Sequence, residues 1–219
     1  MDDTQHEPEH APPATSAPRR HVTRAAPRLA LVGGRDVAAA TPAEPAPRAR
    51  RRVLATVLFT DVVDSTGHAV ALGDERWLGV LERHEAMVRA EIRRACGRPV
   101  VTVGDGVVAT FAGAEDAVRC ARRIVRRSRA FGLEVRCGLH CGETERRRAR
   151  LGGIVFHVAA RVMHVAAPGE VLVSETLTRL VTGSSVRFQR RGRHALRGLP
   201  GVWPIYGVID DGDDAARDC

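Results

Sequence analysis

Lysine is missing from this 219-residue chain: all 34 of its basic residues are arginine. Arginine does not readily give up its proton, so a Schiff-base or general-base lysine is excluded. Aromatic residues make up only 4% of the chain. A core built mainly from Val, Leu, Ile and Ala favours an α/β or α+β domain over an aromatic-rich sandwich. No aromatics alternate with the arginines to stack bases, so nucleic acid is not an expected partner. No apolar run approaches the roughly 20 residues that span a bilayer. The chain opens Met1-Asp2-Asp3 without a signal-peptide core, and the expectation is a cytoplasmic protein with no integral membrane segment. Its five cysteines, Cys96, Cys120, Cys137, Cys141 and Cys219, form no C-x-x-C. A zinc site or a disulfide framework is therefore not expected, and the thiols are expected to be free.

What is present divides into three parts. Residues 1–52 hold eight of the twelve prolines and are expected to be disordered. Residues 53–209 carry the periodic apolar pattern of a folded domain. Residues 210–219 form an acidic tail, expected to be frayed. The net charge of +8 is read as mostly solvated surface arginine.

Val53–Thr60 is a near-continuous β-prone run, as in a central strand. Asp64-Ser65-Thr66-Gly67 reads as a turn. Leu78, Leu81, Val88, Ile92 and Ala95 recur at helical spacing over Asp74–Ala95. Val100–Val103 and Val107–Phe111 flank Gly104-Asp105-Gly106, a strong hairpin signal. A helix over Glu115–Phe131 and a strand over Leu133–Cys141 follow. Glu145–Arg150 is expected to form an exposed arm or loop. A helix over Ile154–Ala166, a short strand Val171–Val173, a helix Glu175–Val181 and small strands at Val186–Phe188 and Trp203–Ile209 complete the series. Strand, helix, strand, strand, helix, strand is the ferredoxin-like order (βαββαβ) of an α+β domain. The arm, the later helices and the small strands are additions to it.

In that order the end of the first strand and the hairpin turn fall at one edge of the sheet. Asp61 and Asp105 can converge there. Two carboxylates hold hard cations such as Mg²⁺ or Mn²⁺, with the Val62 carbonyl as a further candidate ligand. Two such ions would serve in-line attack at phosphorus. Spacing alone leaves open that both aspartates merely shape turns.

Five ordered blocks narrow the reading. Phe59-Thr60-Asp61-Val62-Val63-Asp64-Ser65-Thr66 resembles the opening motif of class III adenylyl/guanylyl cyclase catalytic domains, and Gly104–Phe111 resembles the second. Gly138-Leu139-His140-Cys141-Gly142-Glu143 is similar to the family's Gly-x-His-Thr-Gly-Glu strand, with Cys141 in place of Thr. Ala159-Ala160-Arg161 and Pro168–Ser174 match the next two blocks. The resemblance covers about Val53 to Ile209. It implies a lyase that makes a cyclic nucleotide and pyrophosphate at sites shared across a dimer interface. It assigns Asp61, Val62 and Asp105 to two Mg²⁺ or Mn²⁺ ions, and the stretch containing Phe59, Val63, Asp64, Ser65 and Thr66 to the triphosphate. It assigns Arg161 to the transition state.

Three positions depart from the family pattern. Val101 stands where adenylyl cyclases carry the lysine that reads adenine, and an isopropyl group donates no hydrogen bond. Arg150 stands at the partner position, where the family has an acceptor. His157 replaces the asparagine that orients the ribose, four residues before Arg161. The metal and phosphate residues are separate from the base reader. Two outcomes stay open: an adenylate cyclase converting ATP to cyclic AMP, weak or relaxed in base choice, or a catalytically silent module. The partner is a second copy in a homodimer, or another cyclase-homology chain in a heterodimer.

Overall fold

The structure is a computed structural model that describes residues 51–147 and 150–209, apart from the side chains of residues 51, 146, 147, 150 and 151. The expectations for the N-terminal segment up to residue 50 and for the tail from residue 210 lie outside the described residues.

β1 (Arg51–Val62) is followed by α1 (Ser65–Leu72), α2 (Asp74–Arg94), β2 (Arg98–Val103) and β3 (Gly106–Phe111). Then come α3 (Ala114–Ser128), a 3₁₀ turn (Arg129–Phe131), β4 (Val135–Arg147) and the short β5 (Arg150–Gly152). The domain ends with α4 (Ile154–Val165), β6 (Val171–Ser174), α5 (Glu175–Leu180), β7 (Phe188–His194) and β8 (Trp203–Val208). The sheet runs β2-β3-β1-β4-β6-β8-β7, with β5 hanging from β4. The first four neighbours are all antiparallel, which is the ferredoxin-like core expected from the element order. β6 adds parallel to β4, and β8 and β7 continue antiparallel.

β1 is central because both of its faces are apolar. Leu58 and Val62 face Val88 and Ile92 of α2 and Val118 and Ile124 of α3. Val57 faces the other way, with Val108, against Val155 and Ala159 of α4. A third cluster packs Val158 and Val162 of α4 on Leu172 and Ile205. Full burial of each such aliphatic side chain contributes about 1.5–3 kcal/mol. α4 lies close on β4 because Gly138 has no side chain: a Cβ there would stand 2.1 Å from the Met163 nitrogen.

Four expectations need correction. Asp64–Gly67 is not only a turn but the start of α1. Asp64 sits in the left-handed region (φ 53°) and caps that helix, its carboxylate accepting from the Gly67 N–H at 3.2 Å. The expected exposed arm is a β-hairpin: β4 runs on to Arg147 and pairs with β5. The strand expected at Val186 begins at Phe188 and continues to His194 as a polar edge strand; it lacks the apolar alternation that would have marked it. Cys96 is disulfide-bonded, while Cys120, Cys137 and Cys141 are free and buried. An odd cysteine count without C-x-x-C excludes a framework but not a single bridge.

α2 also turns differently from its apolar spacing. Leu78 is exposed, and the buried face is Trp77, His84, Met87, Val88, Glu91 and Ile92. Glu91 is 1% exposed and is gripped by arginines of α3: the Arg123 Nε donates to it at 2.9 Å, and Arg127 binds its other oxygen. No spacing rule finds a carboxylate whose partners come from another helix.

Candidate active site

Asp61 is the penultimate residue of β1, and Asp105 lies in the β2–β3 turn. Two features draw the turn onto the end of β1. Gly106 lacks a side chain where a Cβ would stand 2.0 Å from the Thr60 carbonyl oxygen and 3.5 Å from the Asp61 Cα. The Thr60 hydroxyl then accepts from the Val107 N–H at 2.9 Å and donates to the Val107 carbonyl at 3.3 Å. Gly104, at φ 62°, supplies the left-handed residue of the turn.

The result is a cluster. The Asp105 carboxyl faces Ser65, the first residue of α1, and lies near Asp61. Partial burial pushes the Asp105 carboxyl above its ordinary value; the Ser65 hydrogen bond opposes this, and the Asp61 charge adds to it. Two neighbouring carboxylates favour either a shared proton or a bound cation.

Asp61 has a second partner that sequence reasoning missed. Arg136 lies directly opposite it on β4. Its Nε and Nη2 both donate to the Asp61 Oδ2, at 2.8 and 2.5 Å. The only trace in the sequence is a charged residue inside a strand whose neighbours, Val135 and Cys137, are both buried. Its pairing with Asp61 depends on a register between strands 75 residues apart, which no local pattern reveals.

The other expected residues are more dispersed. Phe59 packs partly buried against the α4-side cluster. Val63 is half-buried and Thr66 exposed. Val63 N–H donates to the Glu134 carbonyl at 2.9 Å, fastening the loop after β1 to the start of β4. The Asp64 carboxylate caps α1. Val62 buries its side chain, 4% exposed, in the core. Val101 is 48% exposed on the edge strand β2. Arg150 is placed in β5 by its backbone, and its side chain lies outside the described residues. His157 is exposed on α4, and the Arg161 Nε donates to the Arg197 carbonyl at 3.0 Å. The structure thus joins Asp61, Asp105 and Ser65, and the described contacts of Arg161 lie elsewhere.

His140, from the Gly-x-His block, is a core residue. Its Nδ1 is 2.6 Å from the Ser174 Oγ, its ring meets Trp203 edge-on, and burial pushes its pKa down to about 4. Burial likewise raises the Cys141 thiol, so it is a poor nucleophile.

Among the described residues no group of three or more His, Cys, Asp or Glu side chains gathers as a metal site. The pair Asp61 and Asp105 offers oxygen donors only. That set fits a hard cation that keeps water and takes further oxygens from a phosphate, and it does not fit zinc.

No family profile matches the chain. It is 35% identical over 150 residues to an uncharacterised Mycobacterium tuberculosis protein, covering 66% of this chain and 52% of that one. It is 27% identical over 167 residues to a Rhizobium meliloti protein named "Putative adenylate cyclase 3", covering 68% and 27%. An Anaeromyxobacter protein named 3-methyl-2-oxobutanoate hydroxymethyltransferase is 35% identical over 162 residues, covering 72% and 52%. The chain therefore spans about half the length or less of these relatives, and their names do not agree on an activity. Solved structures are more uniform. The adenylyl cyclase CyaB from Pseudomonas aeruginosa superposes with a TM-score of 0.68 at 21% identity, over 77% of this chain and 98% of that one. The sheet order, the hairpin seated on β1 and this likeness lead to one conclusion: the domain has the catalytic-domain fold of the class III adenylyl/guanylyl cyclases.

Proposed function

We propose that this chain is a nucleotidyl cyclase that converts ATP to 3′,5′-cyclic AMP and pyrophosphate. The observation that carries the reading is the meeting of Asp61 and Asp105 at one edge of the sheet, beside the first turn of α1. Asp61, Asp105 and the Val62 carbonyl would hold Mg²⁺ or Mn²⁺. The ions, when bound, would acidify the attacking hydroxyl and offset charge on the leaving pyrophosphate. Arg136 holds the Asp61 carboxylate in place, and its guanidinium is a cation beside the pair to which a phosphate oxygen could turn. Arg161 and His157 stand on α4 as donors for a nucleotide reached from a second chain.

A dimer agrees with the edge of the sheet. β2 is an outer strand whose Val100, Val101 and Val103 are 38%, 48% and 58% exposed. Among the described residues no strand covers this apolar edge, and an edge of this kind favours a partner. Val101 offers no hydrogen bond to a purine, so selectivity for adenine is expected to be weak. The same feature favours a second reading, a chain that is silent alone and completes a site in a heterodimer. Among the described residues no helix is long and apolar enough to cross a membrane, and the proposed location is the cytoplasm.

The test measures cyclic nucleotide from purified chain with Mn²⁺ and ATP or GTP, alone and mixed with a complete cyclase chain. Asp61→Ala is expected to remove all product, and Arg136→Gln to lower kcat/KM by about 10²-fold or more. Val101→Lys with Arg150→Asp should raise ATP turnover. Product that survives Asp61→Ala overturns the metal assignment; product only in the mixture selects the heterodimer.

A further inference from the structure

A guanidinium and a carboxylate often meet fork to fork, with one N–H on each oxygen. Arg136 meets Asp61 differently: its Nε and Nη2 both donate to one oxygen, Oδ2, at 2.8 and 2.5 Å. The other oxygen, Oδ1, receives neither. The strands hold this geometry. Asp61 and Arg136 are direct partners in the β1–β4 ladder, and the bond from the Val63 N–H to the Glu134 carbonyl, at 2.9 Å, closes the ladder just beyond them. Their neighbours Val62 and Val135 are buried, 4% and 1% exposed. A slip of one residue would turn those valines to the other face, so the register is fixed. The guanidinium therefore leaves Asp61 only by changing rotamer. The two side chains are 30% and 24% exposed, which leaves solvent for it to turn into.

This arginine offsets one of the two carboxylate charges and keeps one Asp61 oxygen engaged. A divalent cation arriving alone meets a pair that is half neutralised, with a like charge beside it. With a phosphate present, Arg136 can hand its hydrogen bonds to phosphate oxygens and free the carboxylate. We propose that Arg136 is a built-in competitor of the divalent cation: it keeps the Asp61 and Asp105 pair from loading with metal alone and couples metal binding to phosphate binding. The proposal rests on these two aspartates being the cation's ligands, as the cyclase reading has it, and adds a control on when they take it. Coupling of this kind is reciprocal, so phosphate raises the affinity for metal by the factor by which metal raises the affinity for phosphate. Arg136 thus acts in two directions. It opposes a lone cation and supports one that comes with a phosphate.

Calorimetry on the full chain tests this without turnover, by titrating Mn²⁺ alone and the preformed complex of Mn²⁺ with inorganic pyrophosphate. Arg136→Gln should bind Mn²⁺ alone about tenfold more tightly than the parent, and the Mn²⁺–pyrophosphate complex about tenfold more weakly. A residue that only shaped the site would move both affinities the same way. Arg179→Gln removes an exposed guanidinium paired with Glu175 on α5, so it changes the net charge equally; it should leave both affinities unchanged. Circular dichroism verifies that each variant is folded, and Arg136→Met serves if Arg136→Gln does not fold. Mn²⁺ binding no tighter in the folded Arg136 variant than in the parent, an equal gain in Arg179→Gln, or a complex that binds the variant as tightly as the parent would overturn the proposal. Asp61→Asn separates this failure from failure of the cyclase reading. Added to Arg136→Gln, it should abolish Mn²⁺ binding, and binding that survives it would overturn the metal assignment itself and the proposal with it.

Discussion

Gly106 is the residue on which the carboxylate pair depends most directly. It contributes no chemistry, yet a Cβ there would stand 2.0 Å from the Thr60 carbonyl. Gly106→Ala must push the hairpin off β1 and carry Asp105 with it. The expected cost is about 1–3 kcal/mol in chemical denaturation, with a larger loss in Mn²⁺ affinity by calorimetry. Unchanged Mn²⁺ affinity in the folded variant would show that the hairpin's seating does not set the site. His140 shows the opposite case, a motif residue with a structural role. Its pKa of about 4 lies below the ordinary value because burial disfavours the charged ring. The native state then binds fewer protons than the unfolded chain, so stability is full above pH 6.5 and declines as pH falls toward 4. His140→Asn should flatten that part of the stability profile, read by thermal melts at stepped pH.

At the scale of elements, α2 and α3 are joined through a charge inside the apolar layer. Burial alone would raise the Glu91 carboxyl, but Arg123 and Arg127 outweigh it and hold it below its ordinary value. Their contribution is present above about pH 4.5, the unfolded value, and is lost as pH falls through the native one. Glu91→Gln leaves two guanidiniums without their anion and should cost about 3 kcal/mol at pH 7. The difference from the parent should shrink in acid, and a pH-independent difference would mean that packing, not charge, is responsible. The proposed site is also assembled between elements. α1 supplies Ser65, the hairpin Asp105, β1 Asp61 and β4 Arg136. Each is ordinary in its own element, and only the antiparallel register brings the four together.

For the whole molecule, the exposed valines of β2 set the expected assembly. Specific activity should rise with protein concentration, and sedimentation should show a dimer that Val101→Glu with Val103→Glu dissociates. A folded double variant that stays dimeric would place the interface elsewhere. Activity retained by its monomer would mean that one chain holds a complete site.

What the sequence determined by itself was the order of the core strands and the longer helices and many of their bounds, since apolar periodicity, glycine, proline and turn residues act over a few positions. It also placed Asp61 and Asp105 at strand and turn ends, from which their convergence follows once the ferredoxin-like order is assumed. The continuation of Asp64-Ser65-Thr66-Gly67 into α1 was harder to see, because a capping aspartate and a turn aspartate look the same locally. Tertiary structure alone decided Arg136 on Asp61 and the burial of Glu91 between helices. Each joins charges from separate elements, and the strength of such a pair depends on distance and burial, which the linear chain does not contain.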